Sequence, residues 1–182
     1  MGIRIGITGK PRIGKSTIIK AVITRLKAEC IAVGGMLTSD IWEGGVRVGF
    51  FLEDINTGEI GILAHVHHRQ TGPKVKVGKY TVNLTDLDSI GANSIKNALT
   101  HPDPIIIIVD EIGPMELKSK QFIEAVEEAI ESGKSMLVSV HQRSEHELVK
   151  RVKEEFEMFE VTQENRDEMA NCIIQRFGGL EV

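Results

Sequence analysis

Several things are scarce or missing in this 182-residue chain, and each absence closes off a class of function. Cysteine occurs twice, as Cys30 and Cys172, with no C-x-x-C pair, so neither a disulfide framework nor a zinc site is indicated and a reducing interior fits. Aromatic residues make up 4%, and Trp42 and Tyr80 stand isolated in the sequence, which offers no stacking platform for single-stranded nucleic acid. Positive charge is not in excess. The net charge of -4 gives no field to gather nucleic acid or anionic membrane at long range. No apolar run approaches the roughly 20 residues of a membrane span, and Met1 to Thr8 lack the basic-then-apolar pattern of a secretion signal. A cytoplasmic protein without a membrane partner is expected, as a monomer or weak oligomer. Repeats, low-complexity tracts and linkers are also missing, and 41% apolar content suffices for a sizeable core, so residues 1–182 read as one domain.

What is present alternates. Ile3, Ile5 and Ile7 form a buried first strand that stops at Thr8, and Ile18, Ile19, Val22, Ile23 and Leu26 then recur at helical spacing. A second strand is expected to end near Thr38. The segments Val46 to Ile55 and Glu59 to Val66 read as antiparallel strands joined at Asn56-Thr57-Gly58, an inserted hairpin region. Asp86 is expected to cap a helix running to about Leu99, cut off by His101-Pro102-Asp103-Pro104. Ile105 to Val109 is a continuous β-branched run, the signature of a strand covered on both faces. Helices over about Lys120 to Ile130, Glu145 to Glu154 and Asn165 to Phe177 then alternate with strands over Ser135 to Val140 and Phe156 to Val161. This order predicts an α/β fold with a doubly wound, mostly parallel sheet whose ligands sit beyond the carboxyl ends of the strands.

The first such end carries a phosphate loop. Gly9-Lys10-Pro11-Arg12-Ile13-Gly14-Lys15-Ser16 matches G-x-x-x-x-G-K-[ST] between a strand and a helix, and Thr17 follows it. Glycines are needed because successive amides must turn inward and approach phosphate oxygens with no Cβ in the way. The helix dipole adds attraction for the β-phosphate, Lys15 places a charge between β- and γ-phosphates, and Ser16 can ligate Mg2+. The second site lies at the end of the β-branched run, where Ile107, Ile108, Val109, Asp110, Glu111 and Ile112 are expected at the nucleotide. Asp110 is suited to hold Mg2+ with Ser16, and Glu111 to orient and deprotonate a water for attack on the γ-phosphorus. About a hundred residues separate the two, room for a strand between the phosphate-site strands, as in the glutamate-bearing class of P-loop enzymes. The tip of the next strand, Ser139 to Arg143, offers His141 as sensor and Arg143 as charge stabiliser.

Further segments carry a resemblance. Asp110-Glu111-Ile112-Gly113-Pro114-Met115-Glu116-Leu117 resembles the D-E-I-G-K-M-E-L signature of the thermophilic and cancer-related nucleoside-triphosphatase family, departing only at Pro114. Gly44 to Phe50, Val77-Gly78-Lys79-Tyr80, His141-Gln142-Arg143-Ser144 and Val161 to Arg166 are similar to its other segments, in the same order. The resemblance implies a RecA-like fold and slow, Mg2+-dependent cleavage of the γ-phosphate of ATP, GTP and other nucleoside triphosphates, with little base discrimination. It also implies that Arg47 and Asn165 approach the nucleotide. Family loops usually carry glycine where this chain has Arg12, so either the loop holds a slightly different backbone or it presents an extra cation near the phosphates.

Two alternatives stay open: a kinase-like phosphotransferase with a closed acceptor pocket, and a nucleic-acid-stimulated ATPase. A guanine-specific switch is not expected, because no N-K-x-D segment is present. The stretch from Ile60 to Thr85 holds Arg69, Lys74, Lys76 and Lys79 but no acid, and would be the feature to recruit RNA if any does. His65, His67 and His68 lack partners at metal-ligand spacing and read as exposed or core-edge side chains.

Overall fold

The computed structural model describes residues 1–67, 74–103 and 105–178. Among these residues nine strands form one sheet in the order β5-β6-β4-β3-β2-β7-β8-β1-β9. In chain order the strands are β1 (Arg4–Gly9), β2 (Ala32–Glu43), β3 (Val46–Asp54), β4 (Ile60–His65), β5 (Val75–Val77), β6 (Tyr80–Val82), β7 (Ile105–Ile112), β8 (Met136–Val140) and β9 (Glu157–Val161). The helices are α1 (Lys15–Ala28), α2 (Leu84–Asp86), α3 (Asn93–Leu99), α4 (Lys120–Glu131), α5 (Glu147–Glu155) and α6 (Arg166–Phe177).

The parallel core is β2-β7-β8-β1-β9. Alternate side chains of its strands serve two separate apolar layers, as a doubly wound sheet requires. Ile106 and Ile108 of β7 pack with Ile18, Ile19 and Val22 of α1 and Ile173 and Phe177 of α6. Ile105, Ile107 and Val109 face the other way, among side chains of α3, α4 and α5. The sheet is therefore buried on both faces, which is why the β-branched run at β7 reads without alternation.

Three expectations need correction. The second strand does not end near Thr38. Its first half, Ala32 to Met36, pairs with β7, and its second half runs on past the parallel sheet to pair with β3, so the polar residues Thr38, Ser39 and Asp40 lie within a strand. β2 turns back into β3 at Gly44-Gly45, both at positive φ (55° and 76°), the conformation of a tight two-residue hairpin. The hairpin insert is also larger than expected, because β3, β4, β6 and β5 extend the sheet as an antiparallel meander. Finally, Asp86 caps no helix. Asn83 does, accepting from the Asp86 amide at 3.0 Å, while the Asp86 carboxylate accepts from the Ile62 amide at 2.9 Å and ties the helical segment to β4. A π-helical turn, Leu87–Ala92, connects α2 to α3. Among the described residues no helix is long and apolar enough to cross a membrane.

Candidate active site

The site forms where β1 hands over to α1. Gly14 stands at φ 115° immediately before the helix, a conformation a side chain would strain, and a Cβ on Gly9 would come within 2.8 Å of the Val161 carbonyl oxygen. The Lys15 ammonium donates to the carbonyl oxygens of Gly9 at 3.1 Å and Lys10 at 3.3 Å, so it lies over the loop. Among the described residues, Arg12 is one of two non-glycine residues with positive φ, at 63°. Its side chain is exposed and lines the cleft beside the loop.

The parallel register delivers the acids. Ile7 of β1 pairs with Ser139 of β8, and Val109 of β7 with Val138, so β8 seats Ser139 between the phosphate loop and Asp110. An extra strand between the two phosphate-site strands was expected from the hundred residues preceding Asp110. It is supplied instead by β8, from the chain after Asp110. Ser139 Oγ donates to Asp110 Oδ1 at 2.6 Å, wholly buried. Asp110 Oδ2 is buried with no hydrogen-bond partner. Burial raises the Asp110 pKa, against the hydroxyls of Ser139 and Ser16 and the charges of Lys20 and Lys15, which lower it. A desolvated carboxylate oxygen without a donor, facing a loop serine, fits a divalent cation. Among the described residues no group of three His, Cys, Asp or Glu side chains makes a self-contained metal cage. Magnesium at nucleotides does not need one, since phosphate oxygens and waters complete its shell.

Glu111 lines the cleft next to Asp110. Its pKa is raised by burial and by the Asp110 charge, while Lys15 lowers it. A third carboxylate, which sequence reasoning quoted but gave no role, stands behind it. Glu116 is buried, and its pKa is pushed well above the usual carboxylate range by burial and then by Glu111. A Cβ on Gly113 would meet Glu111 Oε1 at 2.7 Å and Glu116 Oε2 at 3.2 Å, so the two carboxyls crowd the same face of that residue. The signal in the sequence was an acid held between Met115 and Leu117 beside the buried strand.

Other expected residues separate. Ile107, Ile108, Val109 and Ile112 are 0% exposed and do not line the cleft; they hold Asp110 and Glu111 in place from within the core. His141 and Arg143 do line it. His141 Nδ1 accepts from the Arg143 amide at 3.3 Å, and the His141 pKa is lowered by burial and by the charges of Lys15, Lys153 and Arg143. It is a neutral donor through Nε2 rather than a cation. Arg143 is exposed at the rim. Arg47 lies on the opposite wall, on β3, its Nε donating to Tyr80 Oη at 3.3 Å and its guanidinium 4.8 Å from the Phe50 ring centre. Asn165 points into its own turn, donating to the Glu160 carbonyl and accepting from the Thr162 amide, both at 2.8 Å. Its neighbour Arg166 lines a groove of about 270 Å³ with Ile13, Thr17 and Asp167, on the flank of the loop away from the acids. Of the basic stretch, Lys74, Lys76 and Lys79 are exposed; Arg69 and the expected member His68 of the histidine group lie outside the described residues.

Residues 4–174 match the model of a family described as NTPase. The chain is 43% identical over 176 residues to nucleoside-triphosphatase THEP1 of Methanosarcina acetivorans, covering 96% of this chain and 97% of that one. It is 40% identical over 173 residues to the protein of that name from Methanocaldococcus jannaschii, covering 95% and 96%. Among solved structures, the crystal structure of THEP1 from Aquifex aeolicus superposes with a TM-score of 0.82 at 28% identity, over 95% of this chain and 98% of that one. The solution structure of a human cancer-related nucleoside triphosphatase gives 0.83 at 28% identity over the whole of both chains.

Proposed function

This chain belongs to the nucleoside-triphosphatase family and is a hydrolase of nucleoside triphosphates, and we propose that it works through the cleft between the phosphate loop and the acids of β7. The observation that carries this reading is Asp110: a fully buried carboxylate with one oxygen held by Ser139 and the other left without a donor beside the loop that begins α1. Ser16 and Asp110 would hold Mg2+, which supplies neutralisation of the charge on the β- and γ-oxygens when bound.

The remaining chemistry belongs to the chain. The amides of residues 9–17 and the α1 dipole bind the β-phosphate. Lys15 spans the β- and γ-phosphates and stabilises charge that grows on the bridging oxygen as it leaves. Glu111, which lines the cleft next to Asp110, orients a water in line with the γ-phosphorus and takes its proton. Arg143 and Arg12 reach the terminal phosphate from the rim, and neutral His141 donates a hydrogen bond. The base rests in the groove of Ile13 and Arg166, whose polar side chains are exposed and read little of its edge, so broad base use follows. Phosphate release from ATP, GTP, CTP and UTP, with and without Mg2+, tests the reading. All four are expected to turn over within about tenfold of one another, only with the metal, and Lys15→Ala is expected to lose on the order of a hundredfold or more. Full turnover in that variant would refute it.

A further inference from the structure

The groups that hold a substrate divide unevenly between its phosphates and its nucleoside. The phosphate side is a cleft of about 1250 Å³, lined by Lys10, Arg12, Lys15, Lys20, Arg47 and Arg143 in a chain of net charge -4. Arg47 is taken up by its ion pair with Asp40 at 3.6 Å, whereas Lys10, Arg12, Lys20 and Arg143 make no ion pair among the described residues. Cations gathered on one cleft without counter-charges draw in a polyanion through their summed field. The nucleoside side is a groove of about 270 Å³, below the roughly 300–1,000 Å³ of a pocket that encloses a small ligand. Its lining is Ile13, Thr17, Ile18 and the exposed Arg166 and Asp167, with no aromatic ring to stack a base. A nucleoside in so shallow a groove buries little apolar surface, so the phosphate chain carries most of the binding free energy of a nucleoside triphosphate.

We propose that the same site also cleaves inorganic triphosphate, with Arg166 meeting the end of the chain that a nucleoside would otherwise esterify. The proposal rests on the hydrolytic reading of the phosphate loop. In that reading the loop amides, Lys15, Asp110 and Glu111 address phosphate, metal or water, and none of them requires an ester at the far end. Removing the nucleoside leaves a free oxygen and an added negative charge at the α position, on the flank where Thr17 and Arg166 line the groove. The Arg166 guanidinium makes no ion pair among the described residues, so it is available to that charge and offsets part of what the lost nucleoside contributed. Asp167 opposes it from the same groove, but this carboxylate is exposed and solvent screens its repulsion. In the reaction the water oxygen forms a bond to the terminal phosphorus as the bond from that phosphorus to the bridging oxygen breaks. The electron pair leaves with the bridging oxygen, the water proton passes to Glu111, and the products are inorganic phosphate and pyrophosphate.

The test supplies sodium tripolyphosphate or ATP to the whole chain at matched free Mg2+, and measures phosphate, pyrophosphate and the displacement of a fluorescent nucleotide. Tripolyphosphate is expected to displace the nucleotide and to yield phosphate and pyrophosphate, with kcat/KM within about tenfold of that for ATP. Lys15→Ala is expected to abolish both cleavages together, and Arg166→Gln to lower the ratio of kcat/KM for tripolyphosphate to that for ATP by about three- to tenfold. Cleavage of ATP with no pyrophosphate from tripolyphosphate would overturn the proposal while leaving nucleoside-triphosphate hydrolysis intact. Tripolyphosphate cleavage that survives Lys15→Ala, or a ratio that Arg166→Gln leaves unchanged, would also overturn it. Cleavage of neither compound would instead sink the hydrolytic reading beneath it.

Discussion

Ser139 Oγ donates a 2.6 Å hydrogen bond to Asp110 Oδ1, while the other oxygen of the same buried carboxylate, Oδ2, has no hydrogen-bond partner. With Oδ1 occupied and Oδ2 free of donors, the carboxylate presents one fixed oxygen to a cation.

Ser139→Ala removes that restraint. A buried carboxylate then loses its protein donor, which costs about 1–3 kcal/mol of stability. The Mg2+ concentration that gives half-maximal turnover is expected to rise by roughly 10-fold, in the range seen when a partner of a metal ligand is removed. Chemical denaturation and a metal titration check the two effects separately, and an unchanged metal requirement would show that Ser139 does not orient Asp110.

Arg12 sits at φ 63°, where an L side chain costs on the order of 1–2 kcal/mol and glycine costs less. Arg12→Gly is therefore expected to raise the melting temperature by a few degrees, about 2–4 °C for a chain of this size. Arg12→Ala keeps the strain and gains nothing. Turnover is expected to fall in both, because both remove a guanidinium from the cleft. Melting curves and steady-state rates of the pair separate the backbone effect from the charge effect.

Glu116 makes stability depend on pH in a direction opposite to that of a salt-bridged acid. Its folded pKa lies well above the ordinary 4.5, so between those two values the folded state holds a proton the unfolded chain has given up. Stability due to this group is whole below the unfolded value and is lost as pH rises toward the folded one. Glu116→Gln keeps the neutral shape and removes the loss. Measured with chelator present, the stability gained by Glu116→Gln over the parent is expected to grow from near zero at pH 4 through that window. A gain that shrinks with rising pH would place the charge, not the proton, in the folded state.

Much of this arrangement was legible in the residues. The phosphate loop needs no tertiary partner to be recognised, because glycines at 9 and 14 and the Lys15-Ser16 pair act through backbone geometry encoded locally. Asp110 and Glu111 were legible because a β-branched run must end somewhere, and in a doubly wound sheet it ends at the ligand edge. The extent of β2 was not, since Thr38 to Asp40 carry the polarity of a loop and stay in a strand only through pairing with β3. Nor was the place of β8, which depends on strand order rather than on any local signal. Glu116 was hidden for a related reason: its proton is held by burial and then by the Glu111 charge, both of which only the fold assembles. Asn165, next to a ligand groove, spends both ends of its amide on its own turn, a partnership that residue type alone does not signal.

The most direct test concerns Glu111. Glu111→Gln keeps the size and shape of the side chain and removes its charge and its ability to take a proton. Binding of a Mg-nucleotide is expected to stay within about twofold, while the single-turnover rate of γ-phosphate release falls by roughly 10²–10⁴-fold. A variant that binds as before and still releases phosphate at the parent rate would contradict the assignment of Glu111 as the base.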